Sequence, residues 1–144
     1  MIYLDTSCLV KLLLDEPESE AVRAAVAAES AVVISALAEL EVEIQLGGEF
    51  DGGRLRRTQW RHHQARLAAL RNIDPFHFVT LPASVFSSAL RQTRRPDSIH
   101  CRALDRLHLA AAEELRVERF MTLDQTQAKA AQTLGFKVLA PGRS

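Results

Sequence analysis

Short apolar runs alternating with longer helical stretches constrain this chain more than any other feature. Ile2–Leu4, Val32–Ile34, FHFVTL (76–81), RFMTL (119–123) and FKVL (136–139) are brief and rich in β-branched or aromatic residues, so they read as strands. Between them apolar residues recur at helical spacing, which predicts helices over about 7–14, 18–29, 36–46, 55–72, 82–95, 101–116 and 125–134. Pro17 suits a helix start, where its missing N–H is harmless. Ser35 suits an N-cap and Gly135 a C-cap. Gly47-Gly48 and Asp51-Gly52-Gly53 are expected to break the chain after the third helix. Strands joined by helical crossovers form right-handed βαβ units, so the expected fold class is α/β, with a mostly parallel central sheet of four to five short strands. The 144 residues fit one domain, 1–144. In such sheets ligands bind beyond the C-terminal ends of the strands.

Composition excludes some classes. No apolar stretch approaches the roughly 20 residues that span a bilayer, and the first residues lack the pattern of a secretion signal. The expectation is a cytoplasmic protein with no membrane partner, whose two cysteines, Cys8 and Cys101, are reduced thiols. A net charge of zero hides an asymmetry. Residues 1–53 carry eleven acids and two bases, whereas 54–106 carry eleven arginines against Asp74, Asp97 and Asp105. Such a segment suits a polyanion, and arginine suits bidentate phosphate contacts; the competing reading is that these arginines only solvate helix faces.

Acids stand where burial would be costly. Asp5 follows the strand Ile2–Leu4, and Asp124 follows Phe120–Leu123. Each could be an N-cap for the next helix, or each could be a ligand at one rim of a parallel sheet. In the helix 36–46, at about 100° per residue, Leu37, Leu40 and Ile44 form an apolar stripe. Glu41 falls beside it, while Glu39 and Glu43 fall opposite and read as solvated. In the helix 101–116, Leu104, Leu107, Ala111 and Leu115 form the expected buried stripe, with Asp105 on its flank. His108 lies three residues on, within reach of Asp105, either as a structural residue or as a positioning group. Four carboxylates packed together repel unless cations neutralise them, and oxygen-only ligands select Mg²⁺ or Mn²⁺. His62-His63 and His100-Cys101 are adjacent pairs rather than a spaced zinc set. No glycine-rich phosphate loop and no GxSxG elbow is present.

The stretches IYLDTSCLVKLLLDEPES, ISALAELEVE, ALDRLHLAAAEEL and RFMTLD, in that order and at that spacing, resemble the PIN-domain ribonucleases, specifically the VapC-type toxins of toxin–antitoxin pairs. The resemblance runs nearly end to end. It implies a PIN-like three-layer α/β/α fold and Mg²⁺-dependent hydrolysis of RNA. It implies Asp5, Asp105 and Asp124 as metal ligands and catalytic acids, with Glu41 ligating a second ion or orienting the attacking water. Thr6, Ser7, His108 and Thr122 would support them. It further implies a small VapB-like antitoxin and a homodimer. Ala38 stands where the family often has Thr, and Gln125-Thr126-Gln127 stands where some members carry a further acid, so one ion or two are both compatible. Two other readings remain: a PIN-fold RNA- or protein-binding module with little catalysis, and a metal-dependent nuclease outside a toxin–antitoxin pair.

Overall fold

The computed structural model describes residues 1–143. The elements run β1 (Ile2–Leu4), α1 (Thr6–Leu13), α2 (Ser19–Ala27), β2 (Val32–Ser35), α3 (Ala36–Asp51), α4 (Arg57–Leu70), β3 (Phe76–Val79), α5 (Val85–Thr93), α6 (Ala103–Glu114), β4 (Arg119–Met121), α7 (Gln125–Thr133) and β5 (Lys137–Leu139). The five strands form one sheet in the order β3-β2-β1-β4-β5, and every pairing is parallel. Tyr3 stands opposite Val33 on one side and Phe120 on the other.

Alternation along the strands divides the core into two layers. Ile2, Leu4, Val32, Ile34 and Met121 pack with α1, α2, α3 and Leu67 of α4. Tyr3, Val33 and Phe120 face the other way, onto Val85, Leu109–Ala112, Ala130 and Ala131. The sequence therefore builds an α/β/α sandwich, with α1–α4 on one face and α5–α7 on the other. The chain reverses its progress across the sheet between β1 and β4. That junction is a topological switch point, where the crossovers leave in opposite directions and open a crevice at the strand ends.

Three expectations need correction. Gly47-Gly48 does not break the chain: α3 continues through both to Asp51, before the turn that contains Gly53 at φ +75°. The predicted stripe of that helix is also wrong. Its buried face is Ala38, Val42 and Leu46, while Leu40 and Ile44 are 57% and 65% exposed. That face packs in the core layer with α1, and Glu39 and Glu43 meet Arg71 and Gln64 of α4 rather than water alone. In α6, Leu104 is exposed, and the buried set is Arg106 and His108–Ala112. Arg106 is buried because its guanidinium caps the backbone carbonyl of Ile99 and reaches Ser98.

Candidate active site

At the switch point, a cavity of about 210 Å³ is lined by Asp5, Thr6, Ser7, Glu41, Gln45, Arg102, Asp105, His108, Asp124 and Gln127. All four acids singled out from the sequence thus reach one place, from the ends of β1 and β4 and from α3 and α6. No three Asp, Glu, His or Cys side chains among the described residues are posed to hold one ion together. The carboxylates line an open cup rather than a closed cage.

Asp5 is buried at the bottom of the cup. Its Oδ1 accepts from Ser7 Oγ (2.7 Å) and from the Cys8 N–H (3.1 Å), and Oδ2 accepts from Thr122 Oγ1 (2.5 Å). The Cys8 bond makes Asp5 the N-cap of α1. Cap and cup-lining carboxylate are therefore one group. Burial raises the Asp5 carboxyl above its ordinary range, against the opposing pull of Thr122, Ser7, the charge of His108 and the Cys8 N–H. Asp124 repeats the motif at α7: Oδ1 caps the helix by accepting from the Gln127 N–H at 2.7 Å. Thr122 Oγ1 accepts from the Asp124 N–H and Ser7 Oγ from the Leu123 N–H, both at 3.0 Å, which ties the two strand ends together.

Glu41 is half-buried on the other wall. Thr6 Oγ1 donates to Glu41 Oε1 at 2.8 Å, and the same oxygen meets His108 Nε2. An ionised carboxylate has no proton to give, so Nε2 is the donor, and the other ring nitrogen, Nδ1, meets Tyr3 OH at 2.7 Å. Tyr3 OH in turn meets Ser35 Oγ at 2.7 Å, and Ser35 Oγ accepts from the Ala38 N–H at the start of α3. Burial of Tyr3 raises its hydroxyl's pKa well above the usual value, so it stays a protonated link. For Glu41, burial works upward, but the bond and charge of His108 and the bond from Thr6 outweigh it and lower the carboxyl. Asp105 stands on the rim; its Oδ2 accepts from Arg102 Nε at 3.1 Å, and Gln127 Nε2 donates to its backbone carbonyl.

Three of the four acids keep one oxygen free, while both oxygens of Asp5 already accept. No partner within hydrogen-bonding reach occupies Asp105 Oδ1, Asp124 Oδ2 or Glu41 Oε2 among the described residues. An oxygen-only donor set of this kind fits a hard divalent ion. An open cup also fits Mg²⁺, which keeps several waters and takes one or two carboxylates. Of the expected supporting residues, Thr6 and His108 bond Glu41, while Ser7 and Thr122 bond Asp5. Sequence reasoning missed Gln45, Gln127, Arg102 and the Tyr3–Ser35 link. Gln45 and Arg102 lie four and three residues from Glu41 and Asp105, a helical spacing that could have flagged them. Tyr3 gave no such signal.

The arginine-rich segment is sorted by the fold. Arg54, Arg71, Arg91, Arg95 and Arg102 pair with carboxylates, Arg66 caps the carbonyls of Leu12 and Leu13, and Arg106 caps Ile99. Arg56, Arg57, Arg61 and Arg94 have no carboxylate partner among the described residues. Three of these four crowd the start of α4, where Arg57 also lies over the Phe50 ring. A wider cleft of about 540 Å³ near His62 and His63 has its acids already paired: Asp15 to Arg23, Glu16 to Lys11 and Glu49 to Arg54. Cys8 and Cys101 are unpaired thiols. No helix among the described residues is long and apolar enough to cross a membrane.

The PIN domain family matches residues 2–132, and the chain belongs to that family. Within it the chain is of the VapC type. It is 37% identical over 142 residues to ribonuclease VapC46 of Mycobacterium tuberculosis, covering 97% of both chains. It is 30% identical to ribonuclease VapC47 of the same species, covering 99% of this chain and 98% of the relative. Among solved structures, VapBC2 from Rickettsia felis bound to a promoter DNA fragment shares the fold with a TM-score of 0.71 at 14% identity, covering 98% of this chain and 99% of that one. M. tuberculosis VapC20, described as a sarcin-ricin loop cleaving toxin, matches with a TM-score of 0.69 at 18% identity, covering 90% and 95%.

Proposed function

We propose that this protein is a ribonuclease toxin of a toxin–antitoxin pair, hydrolysing RNA phosphodiester bonds with Mg²⁺, or Mn²⁺ in its place, held by Asp5, Glu41, Asp105 and Asp124. The observation that carries this reading is the convergence of four carboxylates from separate elements on one cavity at the switch point. Like charges so close are unfavourable without a cation. A bound ion would lower the pKa of a water and neutralise charge on the phosphoryl oxygens. The chain's own residues do the rest. Asp5, fixed by three donors, forms the floor; Asp105 and Asp124 present their free oxygens from the rim. Thr6 and His108 hold Glu41 Oε1, leaving Oε2 to orient the attacking water and take its proton as the water oxygen bonds to phosphorus and an ester P–O bond breaks. The lowered carboxyl keeps Glu41 ionised for that task.

Arg56, Arg57 and Arg61 supply the phosphate contacts for which the whole arginine-rich segment was the first candidate. Cations at a helix N-terminus oppose the macrodipole, so their placement at α4 favours binding over folding. Exposed Leu40 and Ile44 sit on α3 either side of Glu41, a face that a small antitoxin would cover together with the cup. Phe86 and Leu90, one helical turn apart and 63% and 55% exposed, would face a second copy. Support for the antitoxin comes from structural neighbours that are toxin–antitoxin complexes, among them one from Klebsiella pneumoniae. The deciding experiment incubates the wild type and Asp124→Asn with a panel of structured RNAs, with Mg²⁺ and with chelator. Cleavage by the wild type in Mg²⁺ alone is expected. Equal cleavage by both proteins, or cleavage in chelator, would sink the metal-nuclease reading; retained RNA binding without any cleavage would favour a binding module.

A further inference from the structure

We propose that Arg102 is a substrate-binding residue, gripping a non-bridging oxygen of the scissile phosphate from the rim of the acid cup. The inference rests on the nuclease reading above and names the residue that meets the reacting group. Among the described residues, Arg102 is the only lysine or arginine lining the cavity. Its side chain is 84% exposed and tethered by a single bond, Nε to Asp105 Oδ2 at 3.1 Å. A guanidinium carries five N–H donors, and neither terminal nitrogen of Arg102 has a partner among the described residues. Besides Asp105, the acids that share this cavity with it are Asp5, Glu41 and Asp124.

Helix stability does not explain a cation at this position. Arg102 is the N-cap residue of α6 but makes no side-chain cap bond. Its positive charge also faces the positive end of the helix dipole, where an acid or a Ser/Thr/Asp cap would serve folding better. An exposed pair three residues apart contributes little. The tether explains more as a resting contact. An ion on the free Oδ1 of Asp105 would draw charge from the carboxylate and weaken the tether on Oδ2, freeing the guanidinium fork for the arriving polyanion. A planar guanidinium matches phosphate bidentately, which an ammonium cannot do.

The test uses the full-length protein with Arg102→Gln and Arg102→Lys, all checked for an unchanged thermal midpoint. For wild-type-active RNA, Arg102→Gln is expected to lose about 10- to 100-fold in kcat/KM, the range of a lost charge-assisted hydrogen-bonded pair, and Arg102→Lys to recover only part of it. Mn²⁺ affinity, titrated without RNA, should stay equal or tighten, because a competing cation has left Asp105. A fall in Mn²⁺ affinity that accounts for the lost rate would overturn the proposal, since Arg102 would then act only by positioning Asp105; so would an unchanged kcat/KM. Failure of the nuclease reading shows separately, as wild type inactive in Mg²⁺. In that event, binding of a labelled stem–loop RNA to Asp5→Asn with and without Arg102→Gln, in Mn²⁺, still decides: weaker binding upholds the phosphate contact and equal binding rejects it.

Discussion

Replacing Asp5 with Asn should make the ion-free protein more stable while abolishing its chemistry. Asp5 is 2% exposed, with three hydrogen-bond donors and no basic side chain in direct contact. Burying an ionised carboxylate costs several kcal/mol even after relaxation. The three bonds offset part of that, each worth about 1 kcal/mol more to a charged acceptor than to a neutral one. An amide of the same shape keeps Oδ1 for Ser7 and Cys8. Its Nδ2–H₂ donates to Thr122 Oγ1, whose own proton turns to Gln127 Oε1, now 3.3 Å away. Setting about 4–5 kcal/mol of relieved desolvation against about 3 kcal/mol of weakened bonding leaves a net gain of about 1–2 kcal/mol. For a chain of this length that is a rise of about 3–8 °C in midpoint, read by differential scanning calorimetry in chelator. The folded carboxyl is raised above its ordinary value near 3.8. Its penalty is therefore absent below that value and fully present above the folded pKa. The advantage of Asp5→Asn should shrink as pH falls towards 4. In excess Mg²⁺ it should shrink at neutral pH as well, because only the wild type gains an ion. A variant less stable than wild type by more than about 1 kcal/mol in chelator would show that the bonds outweigh desolvation, and the reasoning would fail.

Other consequences are measurable. Tyr3→Phe removes a buried hydroxyl shared by Ser35 and His108, so it should cost about 1–3 kcal/mol in urea denaturation and reduce cleavage by freeing His108. Val42→Ala should cost about 1–3 kcal/mol while Ile44→Ser stays within about 0.5 kcal/mol; the reverse order would contradict the orientation of α3. A Cβ at Gly47 or Gly48 would meet nothing within 4 Å, so Gly48→Ala should stabilise by about 0.5–1 kcal/mol. Neutralising Arg56, Arg57 and Arg61 to Gln in the Asp5→Asn background should flatten the salt dependence of RNA binding, lowering the log–log slope by about 2; an unchanged slope in fluorescence anisotropy would place the RNA elsewhere.

Most elements were legible because their signals are local. Short β-branched runs, Ser35 as a cap and Gly135 after α7 all lie within a few residues of what they determine. The acids after β1 and β4 were legible for the same reason: the N-cap alternative holds for both, and each also lines the cup. What failed was the face each helix turns inward. Leu40, Ile44 and Leu104 are among the more apolar residues of α3 and α6 and are exposed, while the inward faces are Ala38, Val42 and Leu46 in α3 and Leu109 with three alanines in α6. Glu41 was therefore reached by an angle measured from the wrong stripe, and its place in the cup depends instead on Thr6 and His108, 35 and 67 residues away. Partners at that separation leave no periodicity to detect. The sorting of the arginines was hidden in part likewise: Arg71–Glu39 and Arg91–Glu113 join elements that only the finished fold brings together, whereas Arg54, Arg95 and Arg102 find carboxylates within five residues.

The cup straddles the two layers of the sandwich. Glu41 belongs to α3 on one face of the sheet, and Asp105 and His108 belong to α6 on the other, with the strand ends between them. A cation seated there would act as a rivet through the laminate. Layers that meet at this edge through the Glu41–His108 bond would be pinned there a second time, so shear of α3 against α6 would become costlier. Loading with Mg²⁺ should then slow amide hydrogen exchange in both helices together, including turns far from any carboxylate.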